Sequence, residues 1–286
     1  IKDFAFSSCS LLELMIFPSS VKIIGNEAFG SCISLKQIVI PENTNYIGKR
    51  CFKGCSELTR ITFFSSIKNI NESTFEDCTS LLSFQAPKTL ISIGKKAFLN
   101  CKKIKEVKFD DSALNFIGCE AFKNNESLTE ITLPENLTEI SNGLFEGCSS
   151  ISQISIPSTV AIIGDKSFAN CSSVSKVYIP DSVVCIAAEA FKGCTSLKLV
   201  LNGSKVNSIG NDAFAECSKL NNSKFAPANS SSLAIKNAKR KDSEDSEDSM
   251  EKPEILVSVD SKPSYTKKVK RKRIKHSEDN FEAPKK

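Results

Sequence analysis

The sequence predicts a repeat solenoid: parallel β-strands stacked in about ten coils of 23 residues, followed by a disordered C-terminal tail. Three observations predict it. Phenylalanine recurs at Phe6, Phe29, Phe52, Phe75, Phe98, Phe122, Phe145, Phe168, Phe191 and Phe214, with a spacing of 23 broken only between Phe98 and Phe122, where one extra residue enters. Cysteine stands three places after nine of these ten phenylalanines, Asn125 being the exception. Beyond Phe225 the repeat stops and the composition turns polar and charged. Self-similarity at a period of about 20–50 residues is the signature of an array in which no unit buries its apolar face alone and neighbours must stack.

Each slot of the coil has a physical reading. Three residues past each cysteine comes a branched aliphatic residue, such as Leu35, Leu58, Ile104 or Val174. Two apolar residues then alternate with polar ones, as at Ile38 and Ile40 or Ile154 and Ile156, which is the pattern of a half-buried strand. Pro18, Pro41, Pro87, Pro134, Pro157 and Pro180 follow the strand. Proline cannot donate to a ladder and so ends it. A second short apolar run, for instance residues 160–163, is expected to turn back as another strand. An Ile-Gly pair closes many units, as at Ile47 and Gly48, and glycine is expected to permit a tight bend into the Ala-Phe that plugs the interior.

Taken together, the pattern Ile-Gly-x-x-Ala-Phe-x-x-Cys-x-x-Leu-x-x-Ile-x-Ile-Pro resembles the BspA-type leucine-rich repeat, over residues 1–225. The resemblance implies a leucine-rich-repeat solenoid that binds proteins or matrix, a surface-antigen or adhesion role, and no enzyme activity or cofactor. The fold class is thus a leucine-rich-repeat solenoid over 1–225 with a tail over 226–286.

Composition limits the function classes. From residue 226 onward there are 15 Lys plus Arg against 11 Asp plus Glu, leaving 23 against 22 in the repeats, so the body is nearly neutral. Nonspecific nucleic-acid binding rests on an excess of cations and is not expected of such a body. The single histidine, His276, lies in the tail, so the repeats hold no imidazole to serve as a base for a serine or cysteine nucleophile. Glycines fall in repeated turns rather than in a phosphate-binding loop, and no small-molecule substrate is expected. No apolar run is long enough to form a transmembrane helix.

Twelve cysteines invite a metal or disulfide reading, but nine share one phase and read as a buried column of small apolar residues. Cys51, Cys119 and Cys185 lie off the column and are candidates for exposure. A column of free thiols suits a reducing compartment. Sequons at Asn71, Asn136, Asn202 and Asn229 would permit glycosylation of a secreted chain.

A partner is expected on the outward side of the main strands. One column there reads Gln37, Arg60, Ser83, Glu106, Glu130, Gln153, Lys176, and its neighbour reads Val39, Thr62, Gln85, Lys108, Thr132, Ser155, Tyr178. The candidate partner-binding residues are Arg60, Thr62, Gln85, Glu106, Lys108, Glu130, Thr132, Gln153, Lys176 and Tyr178. Tyr178 beside Lys176 is the best anchor, since interfaces favour Tyr and Arg over short polar residues.

The tail carries Ser243, Ser246 and Ser249 among acidic residues and a basic cluster at 267–276. Lys267, Lys268, Lys270, Arg271, Lys272, Arg273 and Lys275 read as a nuclear localisation signal for an import receptor, or as a contact for another acidic partner. Tail and free cysteines point to the nucleus or cytoplasm, whereas the family resemblance points to the cell surface or secretion.

Overall fold

The computed structural model describes residues 1–64, 67–109 and 112–220, and there the chain winds as a parallel-stranded solenoid. These residues belong to a unit spanning Ile1–Lys239, while a second unit, Arg240–Lys286, lies wholly outside the described residues. The tail at 226–286, its basic cluster and the boundary at 225 therefore also lie outside them.

Seventeen short strands, numbered in chain order, alternate between two walls. The Ile-x-Ile segments build the main wall from β2 (Gln37–Ile40), β4 (Arg60–Phe63), β6 (Ser83–Gln85), β8 (Glu106–Lys108), β10 (Glu130–Ile131), β12 (Gln153–Ser155), β14 (Lys176–Ile179) and β16 (Leu199–Asn202). The second apolar runs build a return wall from β1 (Ile23–Ile24), β3 (Tyr46–Ile47), β5 (Asn69–Ile70), β7 (Ser92–Ile93), β9 (Phe116–Ile117), β11 (Glu139–Ile140), β13 (Ile162–Ile163), β15 (Cys185–Ile186) and β17 (Ser208–Ile209). All pairing is parallel and one coil apart, as Ile38 with Ile61 or Ile163 with Ile186. Residues sharing a slot therefore share a face. Ser83 pairs with Glu106, a step of 23, but Ser92 pairs with Phe116, a step of 24. The extra residue thus falls between Lys108 and Phe116.

The third wall is the run from glycine through Ala-Phe to cysteine. Here alternate amides reach directly to the next coil: the Glu27, Phe29 and Ser31 N–H groups donate to the carbonyls of Lys49, Cys51 and Lys53 at 2.9, 2.8 and 2.7 Å. Intervening amides close tight turns, as Cys32 N–H to the Phe29 carbonyl at 3.2 Å. Two residues per coil adopt positive φ to achieve this, one two places before the phenylalanine and one two places after. The later slot is rich in residues that tolerate the left-handed region, such as Gly54, Asp77, Asn100, Asn124 and Asn170.

The glycine of the Ile-Gly pair has a different role from the expected one. Its φ is not in the left-handed region; instead the coils approach too closely there for a side chain. A Cβ on Gly94 would lie 2.7 Å from the Glu72 nitrogen, and one on Gly118 would lie 2.6 Å from the Lys95 nitrogen. Where the slot holds Asn71 or Ser141, the side chain instead donates to the preceding coil, Asn71 Nδ2 to the Ile47 carbonyl at 2.6 Å and Ser141 Oγ to the Ile117 carbonyl at 2.5 Å.

Inside, the ten phenylalanines stack face to face without interruption, with ring centroids 5.1–5.9 Å apart and interplanar angles of 2–22°. Around this rod pack the inward strand residues, the leucine column and the cysteines as one contiguous core.

Candidate partner-binding face

All ten residues singled out from the sequence lie on the main wall or in ladder register with it. Arg60, Gln85, Glu106, Lys108, Glu130, Thr132, Gln153, Lys176 and Tyr178 are exposed, and Thr62 is half-buried. The parallel register sets Gln153 beside Lys176 and Ser155 beside Tyr178, and a single bridge sets Thr132 beside Ser155. These are the polar columns that the alternation predicts. Glu106 and Glu130 stand side by side on adjacent coils, and Glu106 turns instead to Lys108 in its own strand, 2.8 Å away. Tyr178 projects from the sheet with half of its surface accessible.

The columns extend further than those ten residues. Leu14 pairs with Gln37, while Leu199 and Leu201 pair with Lys176 and Tyr178, so among the described residues the columns are flanked by aliphatic residues on both sides. Phe64 sits beside them in a slot that proline fills in neighbouring coils, and its side chain is 69% exposed. Among the described residues the outward face is therefore charged in its central coils and apolar in its first and last ones. The signal was in the sequence: Leu14 and Leu199 share the phase of Gln37, and reading each column to its full length identifies them.

The third wall offers a partner less. Its charges pair with one another from coil to coil, Lys53 with Glu76 at 3.0 Å and Lys123 with Glu146 at 2.8 Å. Lys49 and Glu72 are 3.1 Å apart and Lys96 and Glu120 are 3.4 Å apart. Asn26, Asn142 and Asp165 accept hydrogen bonds from backbone amides of the next coil.

All twelve cysteines are free. Eight column thiols, Cys32, Cys55, Cys78, Cys101, Cys148, Cys171, Cys194 and Cys217, donate to the phenylalanine carbonyl of the preceding coil at 3.0–3.2 Å. Burial pushes the Cys148 thiol up to about 12 and raises those of Cys78 and Cys171 well above the ordinary range. Such thiols are poor nucleophiles, since the thiolate is the reactive form. Two exposures differ from expectation. Cys51 is fully buried because it occupies the alanine slot beside Phe52, whereas Cys9, within the column, is exposed. Cys119 and Cys185 are half-buried. Among the described residues no group of His, Cys, Asp and Glu could hold a metal ion, and no helix is long and apolar enough to cross a membrane.

The geometry so far is that of a repeat with a fixed interior and a variable outer face. The family model for the BspA type leucine-rich repeat region matches residues 1–124 and 115–234. This chain belongs to that family. Among solved structures, a leucine-rich repeat protein of Bacteroides ovatus is 25% identical, with a TM-score of 0.50 over 76% of this chain and 74% of that one. The pneumococcal vaccine antigen PcpA is 19% identical, with a TM-score of 0.52 over 77% of this chain and 64% of the antigen, a likeness of fold alone. A leucine-rich cell surface protein of Faecalibacterium prausnitzii is 21% identical, with a TM-score of 0.36 over 77% of this chain and 81% of that one. No curated protein matches the chain.

Proposed function

We propose that this BspA-type solenoid is a noncatalytic protein-binding scaffold whose partner docks on the outward face of the main wall. One observation carries the reading. Inward slots hold the same few residue types from coil to coil, whereas the outward columns change residue at nearly every step and carry charges of both signs, through Arg60, Glu106, Lys108, Glu130 and Lys176. Packing constrains the inward slots; the outward ones are free to carry a partner's specificity. Lys176 and Tyr178 are the anchors, a cation and an amphipathic ring presented on neighbouring outward positions of one strand. The double variant Lys176→Ala, Tyr178→Ala is expected to weaken binding of an identified partner at least tenfold while changing stability by less than about 0.5 kcal/mol, as exposed substitutions do. Unchanged affinity in that variant places the contact elsewhere.

A second reading is a cell-surface or secreted adhesin. The sequon at Asn136 favours it, because that asparagine is exposed in the turn after Pro134, whereas Asn71 is committed to the Ile47 carbonyl. The basic cluster favours the nucleus with an import receptor as partner. A tagged full-length chain that accumulates in nuclei, and ceases to when Lys270, Arg271, Lys272 and Arg273 are replaced by alanine, supports the intracellular reading; a glycosylated chain at the surface supports the adhesin.

A further inference from the structure

The outward face carries a groove near its beginning, on the first three coils, with a volume of about 690 Å³. That lies within the range of roughly 300–1,000 Å³ common to ligand sites. Its walls are Leu14 and Ile16 from the first coil, Val39 and Pro41 from the second, and Phe64 from the third. Leu14, Ile16, Val39 and Phe64 are all exposed. Four large apolar side chains gathered on one surface are uncommon where nothing docks. The local cause is Phe64. Pro41 ends β2 and Pro18 holds the same slot one coil earlier, but the coil after Pro41 places a phenylalanine there, whose amide still donates to the Ile40 carbonyl at 3.0 Å and whose ring stands out as the far wall.

The groove's single charged lining group is Glu42, which is exposed and forms no ion pair among the described residues. An apolar trough with one uncompensated carboxylate at its rim selects an apolar ligand that brings a cation. Two coil spacings of about 4.8 Å span about 10 Å, room for about three residues of extended chain at about 3.3 Å each. We propose that this groove binds an extended segment of a protein partner carrying two or three large apolar side chains and one adjacent Lys or Arg, the cation meeting Glu42. This deepens the scaffold reading and rests on it: the groove is the apolar end of the same face, and a segment lying in it continues onto Arg60 and Thr62. An acidic ligand is repelled, and a wholly apolar small molecule leaves Glu42 unused.

The test pans a displayed library of random peptides on the full-length chain, then measures the enriched peptides by fluorescence anisotropy. Enrichment of apolar peptides with an adjacent Lys or Arg is expected. Phe64→Ser should weaken them at least tenfold, and Glu42→Lys should do the same while improving peptides in which the cation is replaced by Glu. Both positions are exposed, so a thermal melt matching the parent shows that the fold is intact. Enrichment of no motif, of an acidic one, or of peptides indifferent to both substitutions overturns the proposal. A chain that sediments as a dimer and becomes monomeric with Phe64→Ser also overturns it, since the occupant is then a second copy. The Lys176→Ala, Tyr178→Ala variant separates the two readings. Loss of partner capture with no peptide motif sinks only the groove, and peptide binding with partner capture unchanged sinks only the anchor pair.

Discussion

The coil around Phe75 and the coil around Phe122 follow the same plan, and one slot sets them apart. In the first, the Cys78 thiol donates to the Phe52 carbonyl at 3.2 Å, and the rings of Phe52 and Phe75 stack 5.5 Å apart at 2°. In the second, Asn125 takes the cysteine's place, fully buried, and neither its Oδ1 nor its Nδ2 finds a hydrogen-bond partner among the described residues. This coil also follows the extra residue between Lys108 and Phe116. The Phe122–Phe145 step is the widest in the stack, at 5.9 Å. The ladders do not separate the two coils: β9 and β11 do not pair beside Phe122, where the main wall continues through the Thr132–Ser155 bridge, and beside Phe75 neither β3 with β5 nor β4 with β6 pairs. A thiol suits the slot because it brings small apolar volume and one weak donor that a carbonyl accepts. An amide brings two strong polar groups, and a buried polar group without a partner costs about 1–3 kcal/mol. Asparagine is not at fault in itself: Asn71, in a glycine slot, spends its Nδ2 on the Ile47 carbonyl. The slot decides, not the residue type.

Substitutions in the two coils test that contrast. The largest effect is expected from the rod that both coils share. Phe145→Ala should lower unfolding free energy by about 3–5 kcal/mol in urea titration, as a large core truncation does; a loss below 1 kcal/mol would mean that the rod is not the core. Exchanging the distinctive slot should give smaller effects of opposite sign. Cys78→Asn should cost about 1–3 kcal/mol, and Asn125→Cys should return a comparable amount by restoring a thiol donor on this coil. If both changes destabilise, the coil with the extra residue has repacked around its amide and the comparison fails.

Thiol chemistry gives the mildest test. Alkylation of the native chain should label Cys9 first and Cys119 and Cys185 more slowly, leaving the nine buried thiols until unfolding. Labelling of Cys78 or Cys101 as fast as Cys9 would contradict their burial. The same burial sets a pH dependence. A folded-state thiol pKa raised above its unfolded value of about 9 contributes stability that is complete below pH 9 and is lost as pH rises toward 12, as for Cys148. Stability rising across that window would reverse the sign.

Much of this molecule was legible in its residues because the repeat multiplies every local rule. The 23-residue register, the phenylalanine column, the strand alternation and the polar outward columns all follow from slot and period. Reading slots also had limits. Cys51 looked free of the column and is buried, because burial belongs to the alanine slot it occupies. The glycines looked like bends and are points of close approach, which depends on how far one coil stands from the next. The groove belongs to this second kind: Leu14, Val39 and Phe64 are far apart in sequence and come from three different slots. Periodicity along one chain is enough to set the solenoid, its core and which face looks outward. Which outward residues meet, and which buried amide goes unpaired, emerges in three dimensions, because contacts between coils depend on the spacing and pitch of the stack.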